Sequence, residues 1–169
     1  SRLLLVGHSL GGQLGALYTA HAKHHASKGW VIPDGLGLIA SCSIYHKGWP
    51  FPMSFGLLVF TQFSLMLSKI LGYFPGKYVG FGGSEARSLI SDWAYGARSG
   101  RYDLISDLSS KSRIAYDPML AKVTEPVISI NFAEDTLAPL KPTRFLVDKL
   151  NTSDWQRHLI DKDSLGTKQ

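Results

Sequence analysis

A short apolar run that leads directly into a glycine-rich turn and a helical pattern is the feature that most constrains the fold of this chain. Leu3–Val6 is apolar and is closed by Gly7, which is typical of a buried strand in a parallel sheet. Gly11 and Gly12 follow, and apolar residues then recur at helical spacing from Gln13 to about Ala26. A strand that turns this tightly into a helix indicates an α/β protein.

The same strand and helix signals return further along the chain. Gly35–Ser41 is a second apolar run, and a third lies at Val127–Phe132. A helical pattern follows from Pro142 to Leu150, and Trp155–Ile160 predicts a fourth strand. Strands separated by helices favour a mostly parallel sheet flanked by helices.

The segment 45–118 interrupts this alternation. Met53–Leu71 is apolar with no charged residue before Lys69, a glycine- and aromatic-rich run follows at Gly72–Gly83, and a polar helical pattern covers Glu85–Ala97. We interpret the segment as a helical cap inserted into an α/β core. The predicted parts of the chain are therefore 1–44 and 119–169 for the core and 45–118 for the cap.

The apolar segment Met53–Leu71 is close to the roughly 20 residues that a helix needs to cross a bilayer. Polar residues are spread along it: Ser54, Thr61, Gln62, Ser64, Ser68 and Lys69. We therefore favour a cap helix whose apolar side chains face a substrate pocket. A membrane-spanning helix and transient membrane contact are less favoured alternatives.

The turn after the first strand carries a catalytic motif. Gly7-His8-Ser9-Leu10-Gly11 matches G-x-S-x-G, the nucleophile elbow, in which small residues let a serine project from a strained strand-to-helix turn. Ser9 is the candidate nucleophile, and the backbone N–H of Leu10 can donate to a developing oxyanion. We expect His8 to line the acyl pocket. The alternative is a glycine-rich turn with an exposed serine.

The triad acid of such a site follows the serine in the chain and lies after a later strand. No acidic residue follows the second strand until Glu85, whereas Glu134 and Asp135 come directly after Val127–Phe132. Asp135 is the favoured acid and Glu134 the less favoured neighbour. The alternative is an Asx turn whose carboxylate is solvated.

The triad base has no clear candidate in this sequence. His158 is the only histidine after Asp135, and it lies inside the predicted strand Trp155–Ile160 rather than in a loop beyond it. We interpret His158 as a structural strand residue and expect the catalytic histidine to lie outside this chain.

Composition excludes several other classes of protein. The 169 residues are 44% hydrophobic and 18% charged, which is typical of a globular domain. The net charge is +5, but lysines and arginines are scattered, so we expect no nucleic-acid partner. Cys42 is the only cysteine, which excludes an internal disulfide and a multi-cysteine metal site. We expect no metal, no cofactor and a cytoplasmic location.

These motifs resemble the α/β-hydrolase superfamily, and in particular bacterial predicted α/β-hydrolases of its serine-aminopeptidase or lysophospholipase-like branch. The resemblance covers nearly the whole chain. It is carried by GHSLGGQ at Gly7–Gln13, GYFPGKxxGFGG at Gly72–Gly83, SDWA at Ser91–Ala94 and SINFAEDTLAP at Ser129–Pro139.

The resemblance implies an α/β-hydrolase fold with Ser9 as nucleophile, the Leu10 N–H as an oxyanion donor and Asp135 as acid. It places the base in a Gly-His-Phe-Gly loop after the segment that ends here at Gln169. It also places several strands before the elbow, and one of their loops supplies the second oxyanion donor. We therefore expect a fragment, incomplete at both ends, that is inactive alone.

The sequence thus predicts a serine hydrolase that cleaves an ester, thioester or amide through an acyl-enzyme. The apolar cap favours esterase- or lipase-like action on a small hydrophobic acyl substrate, while peptidase and acyltransferase chemistry use the same triad. The alternatives are a non-catalytic ligand-binding protein on the same fold and a membrane-anchored interaction protein. No sequence signal indicates the oligomeric state.

Overall fold

The computed structural model describes residues 2–80, 82–107 and 112–162. The chain forms two compact units: Ser1–Ser43 with Tyr116–Gln169, here called the sheet unit, and Ile44–Ala115, here called the inserted unit. In chain order the elements are β1 (Leu4–His8), α1 (Leu10–His24), β2 (Gly35–Ile39), α2 (Met53–Leu71), β3 (Tyr73–Pro75), β4 (Ser84–Ala86), α3 (Arg87–Ser99), β5 (Asp103–Asp107), β6 (Ser112–Ala115), α4 (Asp117–Leu120), β7 (Val127–Phe132), α5 (Leu140–Val147) and β8 (Trp155–Ile160).

The sheet unit is built on four parallel strands in the order β1-β2-β7-β8. Leu36 pairs with Val127, and Val127 pairs in turn with Trp155, so the strands run in near alignment. Leu36, Leu38 and Val127 are buried. This arrangement confirms the predicted α/β class with its parallel sheet and flanking helices.

Helix α1 lies against the sheet through small residues. Ala16, Ala20 and Ala22 are fully buried, and a Cβ on Gly15 would lie 3.4 Å from the Leu5 side chain. Small side chains on this side of α1 let the helix approach β1 closely. The helix begins at Leu10, three residues earlier than its apolar pattern predicts, because the turn at Ser9 is only one residue long.

One face of the sheet presents apolar side chains to the surface. Leu4, Val6 and Ile128 are 66%, 59% and 43% exposed. Gly35 and Gly37 lie beside them on β2 and leave a groove of about 630 Å³ across the strands. This groove is on the sheet unit and does not include Ser9 or Asp135.

The inserted unit combines α2 and α3 with two antiparallel strand pairs, β3–β4 and β5–β6. Phe74 of β3 is fully buried and makes an edge-to-face contact with Phe60 of α2. Arg113 of β6 forms a 2.8 Å ion pair with Asp92 of α3. The helices agree with the sequence patterns, but none of these four short strands was predicted.

Candidate active site

The turn between β1 and α1 consists of Ser9 alone. Its backbone has φ 52° and ψ −121°, a conformation that non-glycine residues adopt only under strain. The Ser9 N–H donates to the Ile39 carbonyl over 2.9 Å, which anchors the turn to the end of β2. A strained serine between a parallel strand and a helix is the geometry that the G-x-S-x-G motif predicts.

The glycines of the motif are required by close packing. A Cβ on Gly7 would overlap the backbone of Gly11, and a Cβ on Gly12 would lie 2.7 Å from the Cβ of Ser41. The start of α1 therefore crosses the end of β1 at a distance that only glycine permits.

Ser41 is a site residue that sequence reasoning missed. It is buried, and its hydroxyl donates to the Ser9 carbonyl over 2.7 Å, with the Ile39 and Gly7 carbonyls at 3.2 and 3.4 Å. It follows Ala40, whose φ of 45° is also positive. Ser41 belongs to no motif, and the only signal was its position at the end of the predicted strand Gly35–Ser41.

Leu10 and His8 lie on either side of Ser9. Leu10 is the first residue of α1, where backbone N–H groups have no intrahelical acceptor and can bind an anion. Gly12 N–H closes the first turn by donating to the Ser9 carbonyl over 3.2 Å. His8 is the last residue of β1, opposite Ile39, and its side chain is exposed.

Asp135 lies in the loop that follows β7. Its Oδ1 accepts the Leu137 N–H over 2.7 Å and the Ala138 N–H over 3.1 Å, and its own N–H donates to the Phe132 carbonyl. The Asx-type turn named as the alternative is therefore present. Both of these side-chain bonds involve Oδ1, so the second carboxylate oxygen is the one suited to accept from a further donor.

Two buried side chains hold this loop. Asn131 Nδ2 donates to the Ala138 carbonyl over 3.0 Å and to Thr143 Oγ1 over 2.8 Å. From the segment that follows β2, Cys42 donates through Sγ to the Leu137 carbonyl over 3.6 Å. Burial, followed by the nearby charge of Asp135, raises the pKa of the Cys42 thiol to about 12. Cys42 is thus a neutral packing group beside the loop.

The sheet brings Ser9 and Asp135 to one edge. Both follow the carboxyl ends of parallel strands, and β2 lies between β1 and β7. Two strand spacings separate these ends, about 10 Å. His158 lies inside β8 opposite Ile130, two residues before the strand ends, and its side chain is exposed. This is the strand position that the sequence predicts for it.

The part of the chain that the structure describes contains no group of three or more histidine, cysteine, aspartate or glutamate side chains arranged to hold a metal. His21, His24 and His25 do lie together at the end of α1, where the His25 ring centroid is 4.5 Å from that of His21 and 4.8 Å from that of His24. His21 Nδ1 lies 3.2 Å from the Tyr116 hydroxyl, so this cluster is an aromatic contact at the helix end.

No sequence model of a protein family matches the chain, and no curated protein matches it in sequence. Solved structures do match. Monoacylglycerol lipase from Paleococcus ferrophilus is 14% identical, with a TM-score of 0.52 over 96% of this chain and 59% of its own. One structure from work on the metagenome-derived lipolytic enzymes LipS and LipT is 14% identical, with a TM-score of 0.54 over 98% of this chain and 61% of its own.

A third match is a soluble variant of monoglyceride lipase from Saccharomyces cerevisiae, solved with a substrate analog. It is 16% identical, with a TM-score of 0.57 over 95% of this chain and 53% of its own. The chain has the α/β-hydrolase fold. It spans between about half and three fifths of the length of these three α/β-hydrolase structures.

Proposed function

We propose that this chain carries the nucleophile and the acid of a serine hydrolase. The observation that carries the proposal is Ser9 in a strained one-residue turn between β1 and α1. Asp135 follows a parallel strand of the same sheet and supports the same reading. A nucleophile must be accessible to its substrate, and Ser9 is exposed.

In the proposed reaction Ser9 Oγ attacks the carbonyl carbon of an ester, and a histidine takes the hydroxyl proton. The Leu10 N–H, at the start of α1, donates to the oxyanion. The acyl-enzyme forms as the histidine gives the proton to the leaving alcohol, and water then releases the acid. The base is the histidine that the family resemblance places after Gln169.

Asp135 is proposed to orient that histidine. Its Oδ1 is held by two backbone N–H groups, which fixes the carboxylate plane. The other oxygen is then available to accept from an imidazole and to stabilise its charged form. The Asx turn and the triad role are thus compatible in one side chain.

Esters of small hydrophobic acyl groups are the proposed substrates, with His8 beside the acyl pocket. Two of the matched structures are lipases of monoacylglycerols, and a third comes from lipolytic enzymes, which supports ester chemistry as the first choice. Thioester and amide cleavage use the same groups and are tested alongside.

A fluorophosphonate probe on the full-length protein tests the proposal. We expect one labelled serine, with labelling abolished in Ser9→Ala and retained in the matched control Ser27→Ala, which changes an exposed serine beyond α1. Hydrolysis of p-nitrophenyl esters should be lost in the same variant. A folded protein that is not labelled, or that is labelled equally in Ser9→Ala, would contradict the proposal and favour the ligand-binding alternative.

A further inference from the structure

The inserted unit carries a continuous exposed apolar stripe along α2. Phe55, Val59, Phe63, Met66 and Ile70 recur every three or four residues and are 63%, 49%, 50%, 53% and 72% exposed. This spacing places all five on one side of the helix. We call these five residues the outer stripe.

The opposite side of α2 is small and polar. Thr61, Ser64 and Ser68 are fully buried, and each hydroxyl donates to a backbone carbonyl of α2 itself, over 3.0, 2.8 and 2.9 Å. Helix α3 packs on α2, where Gln62 donates to the Ala94 carbonyl over 2.9 Å. The helix therefore buries hydroxyls and exposes large apolar groups, which is the reverse of the pattern in an amphipathic helix at a water-exposed surface.

The charged residues nearest to α2 in the sequence are of one sign. Between Asp34 and Glu85 the sequence contains Lys47, Lys69 and Lys77 and no acidic residue, and all three lysines are exposed. Lys69 lies on α2 itself, in its last turn. A basic segment around an exposed apolar surface is complementary to anionic lipid headgroups above an apolar acyl layer.

Exposed aromatic side chains precede and follow α2 in the sequence. Phe51, before α2, is 84% exposed, and Tyr78, after it, is 76% exposed. The Lys77 ammonium lies 4.9 Å from the Tyr78 ring centroid. Tyrosine and lysine side chains, which combine an apolar body with a polar tip, are typical of the membrane interface.

We propose that the outer stripe inserts into the surface of an anionic phospholipid bilayer, with α2 lying in the membrane plane. Among the helices that the structure describes, α2 alone is long and apolar enough to cross a bilayer. A crossing is disfavoured because α3, packed along it, carries Asp92 and Arg98. A second copy of this chain is disfavoured as the occupant because the same segment of that copy offers no acidic residue between Asp34 and Glu85 to complement the lysines. The proposal does not depend on Ser9 being a nucleophile.

Vesicle flotation of the full-length protein tests this proposal. We expect co-flotation with vesicles of equal parts phosphatidylglycerol and phosphatidylcholine, and on the order of tenfold weaker binding to phosphatidylcholine alone. The triple variant Phe55→Gln/Phe63→Gln/Ile70→Gln should lose binding to both. Lys69→Gln/Lys77→Gln should weaken binding to the anionic vesicles only. All flotation is repeated in Ser9→Ala, which should float like the wild type.

The matched control is Val31→Gln/Leu137→Gln/Leu159→Gln, three exposed apolar residues of the sheet unit, which should float like the wild type. Circular dichroism establishes that each variant is folded. Equal flotation of the control and stripe variants, or no flotation of the wild type, would overturn the proposal. A wild-type dimer without lipid that the stripe variant converts to a monomer would also overturn it, because a second copy would then be the occupant.

Discussion

At the scale of single residues, Ser9 and Asp135 are held in different ways. Ser9 is held through its backbone, by the Ile39 carbonyl and the Ser41 hydroxyl, and these bonds do not engage its side chain. Asp135 is held through its side chain, by two backbone N–H groups. The two positions therefore respond differently to conservative substitution.

Asp135→Asn separates the triad role of Asp135 from its turn role. An asparagine Oδ1 still accepts the Leu137 and Ala138 N–H groups, so the free energy of unfolding should change by less than about 1 kcal/mol. The lost charge should lower ester hydrolysis by about a thousandfold or more, because a neutral amide does not hold the required imidazole tautomer. Denaturant unfolding and initial rates measure the two effects.

Asp135→Ala is the control for Asp135→Asn. It also removes the oxygen that accepts the two turn N–H groups, so it should lower the free energy of unfolding by about 1–2 kcal/mol. Wild-type activity in a well-folded Asp135→Asn protein would show that the carboxylate is only a turn residue.

We expect Ser41→Ala to lower the reactivity of Ser9 without changing substrate binding. The Ser9 carbonyl loses its 2.7 Å donor inside a buried site, which should cost about 1–2 kcal/mol of stability. The strained backbone at Ser9 should then relax, so kcat should fall while KM stays nearly constant. Ser41→Cys, which keeps a weak donor, should restore part of the loss. A Ser41→Ala enzyme that has lost only stability would assign Ser41 a purely structural role.

At the scale of elements, the strand-to-helix crossing of β1 and α1 sets the site. Gly7 faces the backbone of Gly11, whereas a Cβ on Gly11 itself would meet nothing within 4 Å. The structure therefore predicts opposite effects on stability for alanine substitution at these two glycines of one motif.

Gly7→Ala should cost about 1–3 kcal/mol of stability or more, because two backbones would have to separate. Gly11→Ala should be neutral or stabilising by up to about 1 kcal/mol, since alanine favours the helix that begins at Leu10. Chemical denaturation of both variants compares them directly. Equal losses in the two would mean that the close crossing is not what selects glycine.

Predictability from sequence also differs between elements. The segments β7, β8 and α2 have the bounds that the sequence predicts. For β7 and α2 these bounds follow from continuous apolar runs, one preceded by Pro126 and the other closed by Gly72. The pairs β3–β4 and β5–β6 were missed because they are short and are held by distant partners. Arg113 of β6, for example, pairs with Asp92 of α3. No local sequence pattern predicts a contact between residues that lie so far apart in the chain.

The candidate site shows the same division. Ser9, Leu10 and Asp135 follow from a motif and from chain order, and the fold places them at the ends of parallel strands. Ser41 becomes visible only when β2 is aligned beside β1, since its hydroxyl acts on a residue 32 positions away. Their roles in catalysis, and the division of the chain into 1–44, 45–118 and 119–169, stay predictions.

At the scale of the whole molecule, each of the two units exposes an apolar surface. One is the outer stripe of the inserted unit. The other is the sheet-unit groove between β1 and β7, where Val6 and Ile128 are 59% and 43% exposed. Exposed apolar surface of this kind drives association, as do unpaired edge strands.

We expect the 169-residue chain, expressed by itself in the absence of lipid, to self-associate through the groove. Val6→Thr/Ile128→Thr keeps β-forming residues in both strands while it removes apolar surface, and it should shift the chain toward the 18.6 kDa monomer. Size-exclusion chromatography with light scattering measures the mass of both proteins. Leu159→Thr, an equally exposed position on β8 outside the groove, is the matched control and should leave the association unchanged. A monodisperse wild-type monomer at micromolar concentration would show that the exposed groove does not cause self-association. If Leu159→Thr reduced the association equally, the contact would lie on another face of the sheet.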